Sequence, residues 1–280
     1  MVTGPPLSRP AGIAATFRAV TFASVNDQQL FFEDHGGDGP PVIFSHGFLM
    51  DHEMFEPQVA ALKDVYRVIT WDERGFGKTQ FDGKPFSYYD SASDCLGLLD
   101  HLGIDKAVLA GMSQGGFLSL RAALTAPERV RALILLDTEA GVPSEETAAR
   151  EQGMVDFWLA VGPVDDLANP VADLIIADPV ENAKWIAKWR AVPKEALAEP
   201  AHCLHGRDDI TTRLGDISCP ALVVHGTEDV SIPMDKAELL SAGLSGSTGV
   251  VKVPGAHAAN LTHPDAVNAA IVDFLAGLAD

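Results

Sequence analysis

Apolar and polar positions along the chain follow two periods, one typical of strands and one typical of helices. Short, mostly apolar runs of strand length lie at 17–24, 28–36, 41–48, 66–77, 106–113, 130–141, 220–229 and 248–257. Segments with apolar residues spaced along one helix face lie at 51–65, 87–104, 114–127 and 265–278. Strands and helices that alternate in this way predict a mostly parallel sheet covered by helices on both faces.

The apolar runs themselves indicate how the strands are arranged. The first two runs follow each other closely and predict an antiparallel pair. Later runs such as "AVLAG" and "ALILLD" are apolar throughout instead of alternating with polar residues. Such runs are typical of parallel strands that are buried on both faces. We therefore predict an α/β fold with an eight-stranded, mostly parallel sheet.

The strand pattern stops between two of these runs. From Val142 to Asp216 the chain has helical spacing, and this segment holds three of the four tryptophans, Trp158, Trp185 and Trp189. We predict a core domain made of residues 15–141 and 217–280, with a helical cap domain at 142–216. Residues 1–14 are rich in Pro and Gly and predict a flexible leader.

Charge and composition narrow the classes of partner. The 280 residues include 39 acidic and 20 basic ones, for a formal net charge of −19. A surface of this sign repels nucleic acids and anionic membranes, so we expect neither as a partner. No apolar stretch reaches the roughly 18 residues that a membrane span needs. A homodimer remains open.

The cysteines and histidines indicate neither a disulfide framework nor a metal site. The three cysteines are far apart and form no C-x-x-C pair, and the histidines show no H-x-x-x-H spacing. We expect a reducing, cytoplasmic compartment and no metal.

The stretch "GMSQGG" at residues 111–116 is the first sign of chemistry. Ser113 follows a predicted strand and opens a predicted helix, with glycines on both sides. Small neighbours let a serine occupy a strained turn in which its hydroxyl is accessible as a nucleophile. The alternative is a glycine-rich turn with an idle serine.

A serine hydroxyl needs a base to become a useful nucleophile. In an open α/β sheet the site lies at the carboxyl ends of the strands, a position that favours His46, His225 and His257. His257 follows the last predicted strand in "VPGAHAAN", so we predict that it is the base. His263 is the fallback.

The base in turn needs an acid that orients it. Asp229 lies in the turn after the strand "ALVVHG" and is our prediction. A capping role for Asp229 is the alternative. Asp137 and Glu139, at the end of the strand after Ser113, are the competing acids.

A tetrahedral intermediate would also need hydrogen-bond donors for its oxyanion. Gly47 in "SHGF" permits a tight turn that leaves the backbone N–H of Phe48 as one candidate. The backbone N–H of Gln114, at the start of the helix after Ser113, is the other.

The chain resembles the α/β-hydrolase superfamily. The matching pieces are "FSHGF", "WDERGFGKT", "GMSQGG", "HGTEDVSIP" and "GAHAANLTHPDAV", which follow the family's order over about residues 27–280. The resemblance implies a Ser113–Asp229–His257 triad, an oxyanion hole formed by Phe48 and Gln114, and a cap inserted after the sixth core strand. It is strongest to the branch of esterases, enol-lactonases and cofactor-free haloperoxidases. Dehalogenases and epoxide hydrolases of the family use Asp where this chain has Ser113.

Three functions remain open on this basis. The first is hydrolysis of a small-molecule carboxylic ester or lactone, with no cofactor. The second uses the same triad for carbon–carbon bond hydrolysis or for perhydrolysis, and the third is a non-catalytic receptor for a small apolar ligand. Trp158, Trp185 and Trp189 are candidate substrate-binding residues, which would favour a medium-sized apolar or aromatic substrate. The alternative for each tryptophan is packing of the cap on the core.

Overall fold

An eight-stranded sheet lies at the centre of the protein. The structure is a computed structural model, and it describes residues 21–278. The predicted leader at 1–14 lies outside the described residues. The strands are β1 Thr21–Val25, β2 Gln28–Asp34, β3 Pro41–Ser45, β4 Arg67–Trp71, β5 Ala107–Met112, β6 Val130–Leu136, β7 Ala221–Gly226 and β8 Ser247–Val253.

The strands lie in the order β1-β2-β4-β3-β5-β6-β7-β8. β2 pairs in antiparallel fashion with β1 and with β4, and all the other pairs are parallel. The predictions of an antiparallel opening pair and of a mostly parallel eight-stranded sheet are therefore confirmed. Because β3 and β5 to β8 are parallel, the loops at their carboxyl ends share one edge of the sheet.

Helices cover both faces of this sheet. The chain also has short 3-10 turns at His52–Phe55, Pro127–Arg129, Lys194–Leu197 and Thr211–Asp216. The α-helices are α1 Glu56–Leu62, α2 Tyr88–His101, α3 Gln114–Thr125, α4 Glu145–Val161, α5 Asp165–Ile175, α6 Pro179–Ala191, α7 Ala198–His205, α8 Met234–Gly243, α9 Ala259–Thr262 and α10 Pro264–Ala276. Within residues 21–278 no helix is both long enough and apolar enough to cross a membrane.

Successive strand residues pack into two different cores, because side chains alternate across a strand. Val42 and Val108 belong to the core that includes residues of α1 and α10. Ile43 and Leu109 belong to the core that includes residues of α2, α3 and α8. A central strand such as β5 is apolar throughout because both of its faces are buried.

One predicted helix is divided in the structure. Residues 51–65 form the 3-10 turn His52–Phe55 and then α1, which has Pro57 in its first turn. Proline suits that place because the first turn of a helix leaves N–H groups unpaired, whereas inside a helix it would remove a hydrogen bond.

The segment between β6 and β7 contains α4 to α7 and, throughout its described residues 137–220, no strand. Two of its helices, α4 and α6, start at polar caps: Ser144 Oγ accepts from Thr147 N at 3.2 Å, and Asp178 Oδ1 accepts from Val180 N and Glu181 N at 2.9 Å each. Trp158, Trp185 and Trp189 join the core on the α1 and α10 side of the sheet. This segment therefore covers the carboxyl edge of the sheet without adding to it.

Candidate active site

Ser113 occupies a strained turn between β5 and α3. Its backbone has φ 52° and ψ −114°, which lies in a region that residues other than glycine rarely adopt. The turn is held by hydrogen bonds from Ser113 N to Leu136 O at 2.9 Å and from Thr138 Oγ1 to Ser113 O at 2.7 Å. The strand-to-helix turn predicted for "GMSQGG" is present.

Close backbone approaches explain the glycines of this stretch. A Cβ at Gly115 would collide with the carbonyl oxygen of Ser45, and one at Gly111 would collide with the backbone of Gly115. A Cβ at Gly116 would collide with the side chain of Thr138. Each glycine lets α3 start directly against the neighbouring strand ends, which fixes the position of Ser113.

His257 and Asp229 meet across two loops at the same sheet edge. Asp229 follows β7, His257 follows β8, and His257 Nδ1 lies 2.7 Å from Asp229 Oδ2. Asp229 Oδ1 accepts from Ser231 N at 2.8 Å and from Ile232 N at 3.0 Å. An ionised carboxylate only accepts hydrogen bonds, so His257 Nδ1 is the donor and the lone pair is on Nε2.

Ser113 and His257 line one cavity of about 340 Å³. The exposed fractions of Ser113, Asp229 and His257 are 8, 8 and 6%, so all three residues are buried, and Asp229 lies behind His257 and outside the cavity lining. The structure thus brings the predicted nucleophile, base and acid to one place. Ser113 and His257 share the cavity, and a hydrogen bond joins His257 to Asp229.

Asp229 and His257 shift each other's pKa so that each favours the charged form of the other. Burial alone would lower the pKa of His257, but the negative charge of Asp229 and the hydrogen bond to it raise that pKa above its ordinary value. Burial alone would raise the pKa of Asp229, but His257 and the Ile232 N–H lower it. The pair therefore favours a carboxylate beside an imidazole that accepts a proton readily.

The two competing acids have other partners. Asp137 Oδ1 accepts from Gly226 N at 2.7 Å, and burial holds the pKa of Asp137 well above its usual range. Glu139 lines the cavity, and its Oε1 accepts from Arg207 Nη2 at 2.9 Å. Each of these carboxylates therefore bonds a partner other than His257.

The other histidines considered as bases are also engaged elsewhere. His46 is fully buried, with Nε2 accepting from Glu73 N at 3.0 Å and Nδ1 donating to Gly47 O at 2.8 Å. His225 Nε2 donates to Ile232 O at 2.8 Å. His263 Nδ1 lies 3.0 Å from Thr262 Oγ1.

The two predicted oxyanion donors flank Ser113. Phe48 lines the cavity, and a Cβ on the preceding Gly47 would lie 3.7 Å from Ser113 Cβ. Gln114 is the first residue of α3, where helical N–H groups have no partner within the helix. The Gln114 side chain turns away from the cavity and bonds Glu73 at 3.3 Å and the Tyr88 hydroxyl at 3.2 Å.

The three tryptophans are not equivalent. Trp158 lines the cavity that contains Ser113 and also borders a second cavity of about 490 Å³. Trp185 and Trp189 border the second cavity. Trp185 is only 1% exposed, its indole N–H donates to Glu181 Oε2 at 3.2 Å, and Lys188 Nζ lies 4.4 Å from its ring centre. The geometry favours packing for Trp185 and a cavity wall for Trp158.

Most of the cavity wall comes from side chains that sequence reasoning did not single out. Leu167, Val171 and Ile175 face the cavity from α5 at intervals of four residues, a spacing that could have identified them. Arg207 also lines it and pairs there with Glu139, one of the competing acids; their side chains are 5 and 6% exposed. They are 68 positions apart, so no local signal predicts their pairing.

Two groups of side chains within residues 21–278 bring potential metal ligand atoms together: Asp51, His52 and Asp72, and also Asp137, His225 and Asp229. The first group is held internally, since Asp72 Oδ1 accepts from both His52 N and His52 Nδ1. In the second, the Asp229 carboxylate already bonds His257 and two backbone N–H groups. In the same group Asp137 Oδ1 accepts from Gly226 N and His225 Nε2 donates to Ile232 O, whereas the buried His225 Nδ1 has no hydrogen-bond partner among the described residues.

Known proteins that are similar to this chain have the same kind of fold. The family model described as the alpha/beta hydrolase fold matches residues 40–264. The chain is 29% identical over 247 residues to 3-oxoadipate enol-lactonase 2 of Acinetobacter baylyi, covering 84% of this chain and 88% of that protein. A thermophilic esterase from Thermogutta terrifontis, solved with malate bound, has a TM-score of 0.83 at 30% identity, covering 94% of this chain and 99% of that one.

A second solved structure has the same TM-score at a lower sequence identity. The enol-lactonase from Burkholderia xenovorans LB400 has a TM-score of 0.83 at 27% identity, covering 91% of this chain and 99% of that one. The family model covers well over half of the chain and ends beyond the loop that carries His257. This chain therefore belongs to the α/β-hydrolase family, and it is a hydrolase.

Proposed function

We propose that the protein is a serine hydrolase that cleaves a carboxylic ester or lactone of a small to medium apolar or aromatic substrate. One observation carries this proposal: Ser113, in its strained turn, shares a cavity with His257, whose Nδ1 is bonded to Asp229. A nucleophile, a base and an orienting acid are the parts that acyl transfer to serine needs.

The proposed reaction begins with attack of Ser113 Oγ on the substrate carbonyl carbon. His257 Nε2 takes the hydroxyl proton, and the Asp229 carboxylate stabilises the imidazolium that forms. The carbonyl oxygen becomes an oxyanion, which accepts hydrogen bonds from the backbone N–H groups of Phe48 and Gln114.

The tetrahedral intermediate then expels its alkoxide, which receives the proton from His257 and leaves as an alcohol. In a lactone this alcohol stays attached to the acyl chain. Water next gives a proton to His257 and attacks the acyl-enzyme. The second intermediate then expels Ser113 Oγ, which takes the proton back from His257, and the acid is released. These steps use only proton and acyl transfer and need no cofactor.

The walls of the cavity support an apolar substrate. Apolar side chains of Phe48, Met154, Trp158, Leu167 and Ile175 line it beside Ser113 and His257. Its volume of about 340 Å³ lies at the lower end of the range for small-molecule sites, which is about 300–1,000 Å³. The esterase and enol-lactonase names of two similar structures favour the same substrate class.

Residues 142–216 act in this proposal as a cap that selects the substrate. Helices α4 and α5 both contribute side chains to the wall of the cavity, whereas the proposed nucleophile, acid and base all lie outside the segment. A change in the cap should therefore alter which ester is preferred more than it alters the chemistry of Ser113.

A product panel tests the reaction type. Wild-type protein and Ser113→Ala are incubated with p-nitrophenyl esters of increasing acyl length, an aryl acetate, an enol-lactone, a cleavable diketone and, in a separate reaction, acetate with hydrogen peroxide. We expect turnover of an ester or the lactone that is lost in Ser113→Ala. Turnover of the diketone alone would favour carbon–carbon bond hydrolysis, peracid formation from acetate and peroxide alone would favour perhydrolysis, and ligand binding without turnover would favour a receptor.

A further inference from the structure

Helix α6 is hydrogen-bonded to the loop that carries Phe48. The indole N–H of Trp189 donates to the carbonyl oxygen of Leu49 at 2.6 Å, across 140 positions of sequence. Trp189 is 5% exposed, and its ring packs edge to face on Trp158 with 5.8 Å between ring centres. The donor is therefore held in one place by packing.

Leu49 needs such an anchor because its own conformation is unfavourable. It has φ 64°, in the left-handed region that a leucine side chain disfavours. The turn is closed by a hydrogen bond from Met50 N to Gly47 O at 3.0 Å. Phe48 lies inside this turn, so the direction of its N–H depends on whether the turn keeps its strained form.

A second pair of contacts joins the same two elements. Lys188, next to Trp189 on α6, places Nζ 2.6 Å from Asp51 Oδ2 and 2.8 Å from Glu53 Oε2. The three contacts join two adjacent residues of α6 to residues 49–53. The cap segment therefore touches the loop that carries the proposed oxyanion donor directly, in addition to walling the cavity.

We infer that Trp189 is a positioning residue, which aligns the backbone N–H of Phe48 with the oxyanion by holding the Leu49 carbonyl. The inference rests on the proposed function, because it needs an oxyanion to form beside Ser113. It assigns to the cap a part in transition-state stabilisation, whereas a merely packing tryptophan would affect stability alone.

Two substitutions at Trp189 separate hydrogen bonding from packing. Trp189→Phe keeps an aromatic ring and removes the donor. Trp189→His loses more volume but retains a ring N–H at a matching position. Trp185→Phe is the matched control, because it removes from the same helix an indole N–H that bonds Glu181, not the loop.

The measurements are the rate constant for modification of Ser113 by a fluorophosphonate, and kcat and KM for p-nitrophenyl butyrate. The phosphonyl oxygen occupies the oxyanion position, so its transfer reports on the donors directly. We expect Trp189→Phe to lower the phosphonylation rate and kcat about tenfold, since small misplacements near the reacting atoms are costly. KM should stay within about twofold, Trp189→His should react faster than Trp189→Phe, and Trp185→Phe should stay within about twofold of wild type.

Equal rates for Trp189→Phe and wild type would overturn the inference, as would a Trp189→His variant slower than Trp189→Phe. If Trp189→Phe does not fold, Lys188→Met replaces it as the test, because Lys188 joins α6 to Asp51 and Glu53 in the segment that follows Phe48. It is expected to slow phosphonylation about threefold, and a wild-type rate would count against the inference. A wild-type protein that forms no adduct at Ser113 would instead overturn the proposed function itself, so the two failures are distinguishable.

Discussion

His257 Nδ1 is 2.7 Å from Asp229 Oδ2, although 28 residues separate the two in sequence. The Asp229 carboxylate is itself fixed by the backbone N–H groups of Ser231 and Ile232. The turn after β7 therefore determines the orientation of a ring that follows β8. This relationship predicts how the protein should respond to changes at both residues.

Replacing Asp229 should disable the base without removing it. We expect Asp229→Asn to lower turnover of a good ester by about 10²–10⁴, because the imidazole loses its tautomer and its charge partner. Glu139→Gln, the matched control, should stay within about tenfold of wild type, because Glu139 pairs with Arg207. A near-normal Asp229→Asn beside an inactive Glu139→Gln would reverse the assignment of the acid.

The pH dependence of activity should follow the raised pKa of His257. The base works only when Nε2 is unprotonated, so kcat/KM should rise with pH through a midpoint above about 6.5, the ordinary histidine value. In Asp229→Asn the charge that raises this pKa is gone, so the acid limb should move to lower pH. A wild-type midpoint below the ordinary value, or an acid limb that stays in place in Asp229→Asn, would contradict this electrostatic account.

The fold could be predicted largely from the apolar pattern, whereas the order of the strands could not. The uninterrupted apolar runs of β5 and β6 indicated burial on both faces, and both runs are central strands. That β4 lies between β2 and β3 depends on pairing between distant segments, which leaves no periodic signal. The division of residues 51–65 depends on Pro57, whose effect is local and could have been anticipated.

The glycines around Ser113 should contribute to the stability of the fold. Gly115→Ala places a Cβ against the Ser45 carbonyl oxygen, and we expect a loss of about 1–3 kcal/mol in the free energy of unfolding. Gly153→Ala, on α4 in open space, should be neutral or stabilising by up to about 1 kcal/mol. Urea denaturation of both variants provides the comparison. Equal stabilities would mean that the backbone can move away from Ser45 at little cost.

The tryptophans should differ in their effect on substrate preference. Trp158→Leu enlarges the cavity beside Ser113, so the ratio of kcat/KM for p-nitrophenyl octanoate over butyrate should rise about tenfold. Trp185→Leu removes a similar volume from a position that does not border this cavity, and it should leave the ratio within about twofold. The same shift in both variants would indicate a general loosening of the cap.

The residues of the candidate site could be predicted where their function requires a particular sequence around them. Ser113 lies among glycines, and Asp229 and His257 lie in turns that follow strands, so each has a signal in its own neighbourhood. Leu49 adopts a left-handed conformation without being glycine, and Trp189 bonds it from 140 positions away. Neither feature has a local signature, because both depend on how the segment between β6 and β7 packs on the sheet edge.

The most direct test of the central claim is the site of covalent modification by a fluorophosphonate. Intact-mass analysis followed by peptide mapping should show a single adduct on Ser113 in the wild type, and no adduct in Ser113→Ala. Modification should also slow by orders of magnitude in His257→Ala, because the hydroxyl then lacks its base. An adduct of the same stoichiometry in Ser113→Ala would contradict the assignment of Ser113 as the nucleophile.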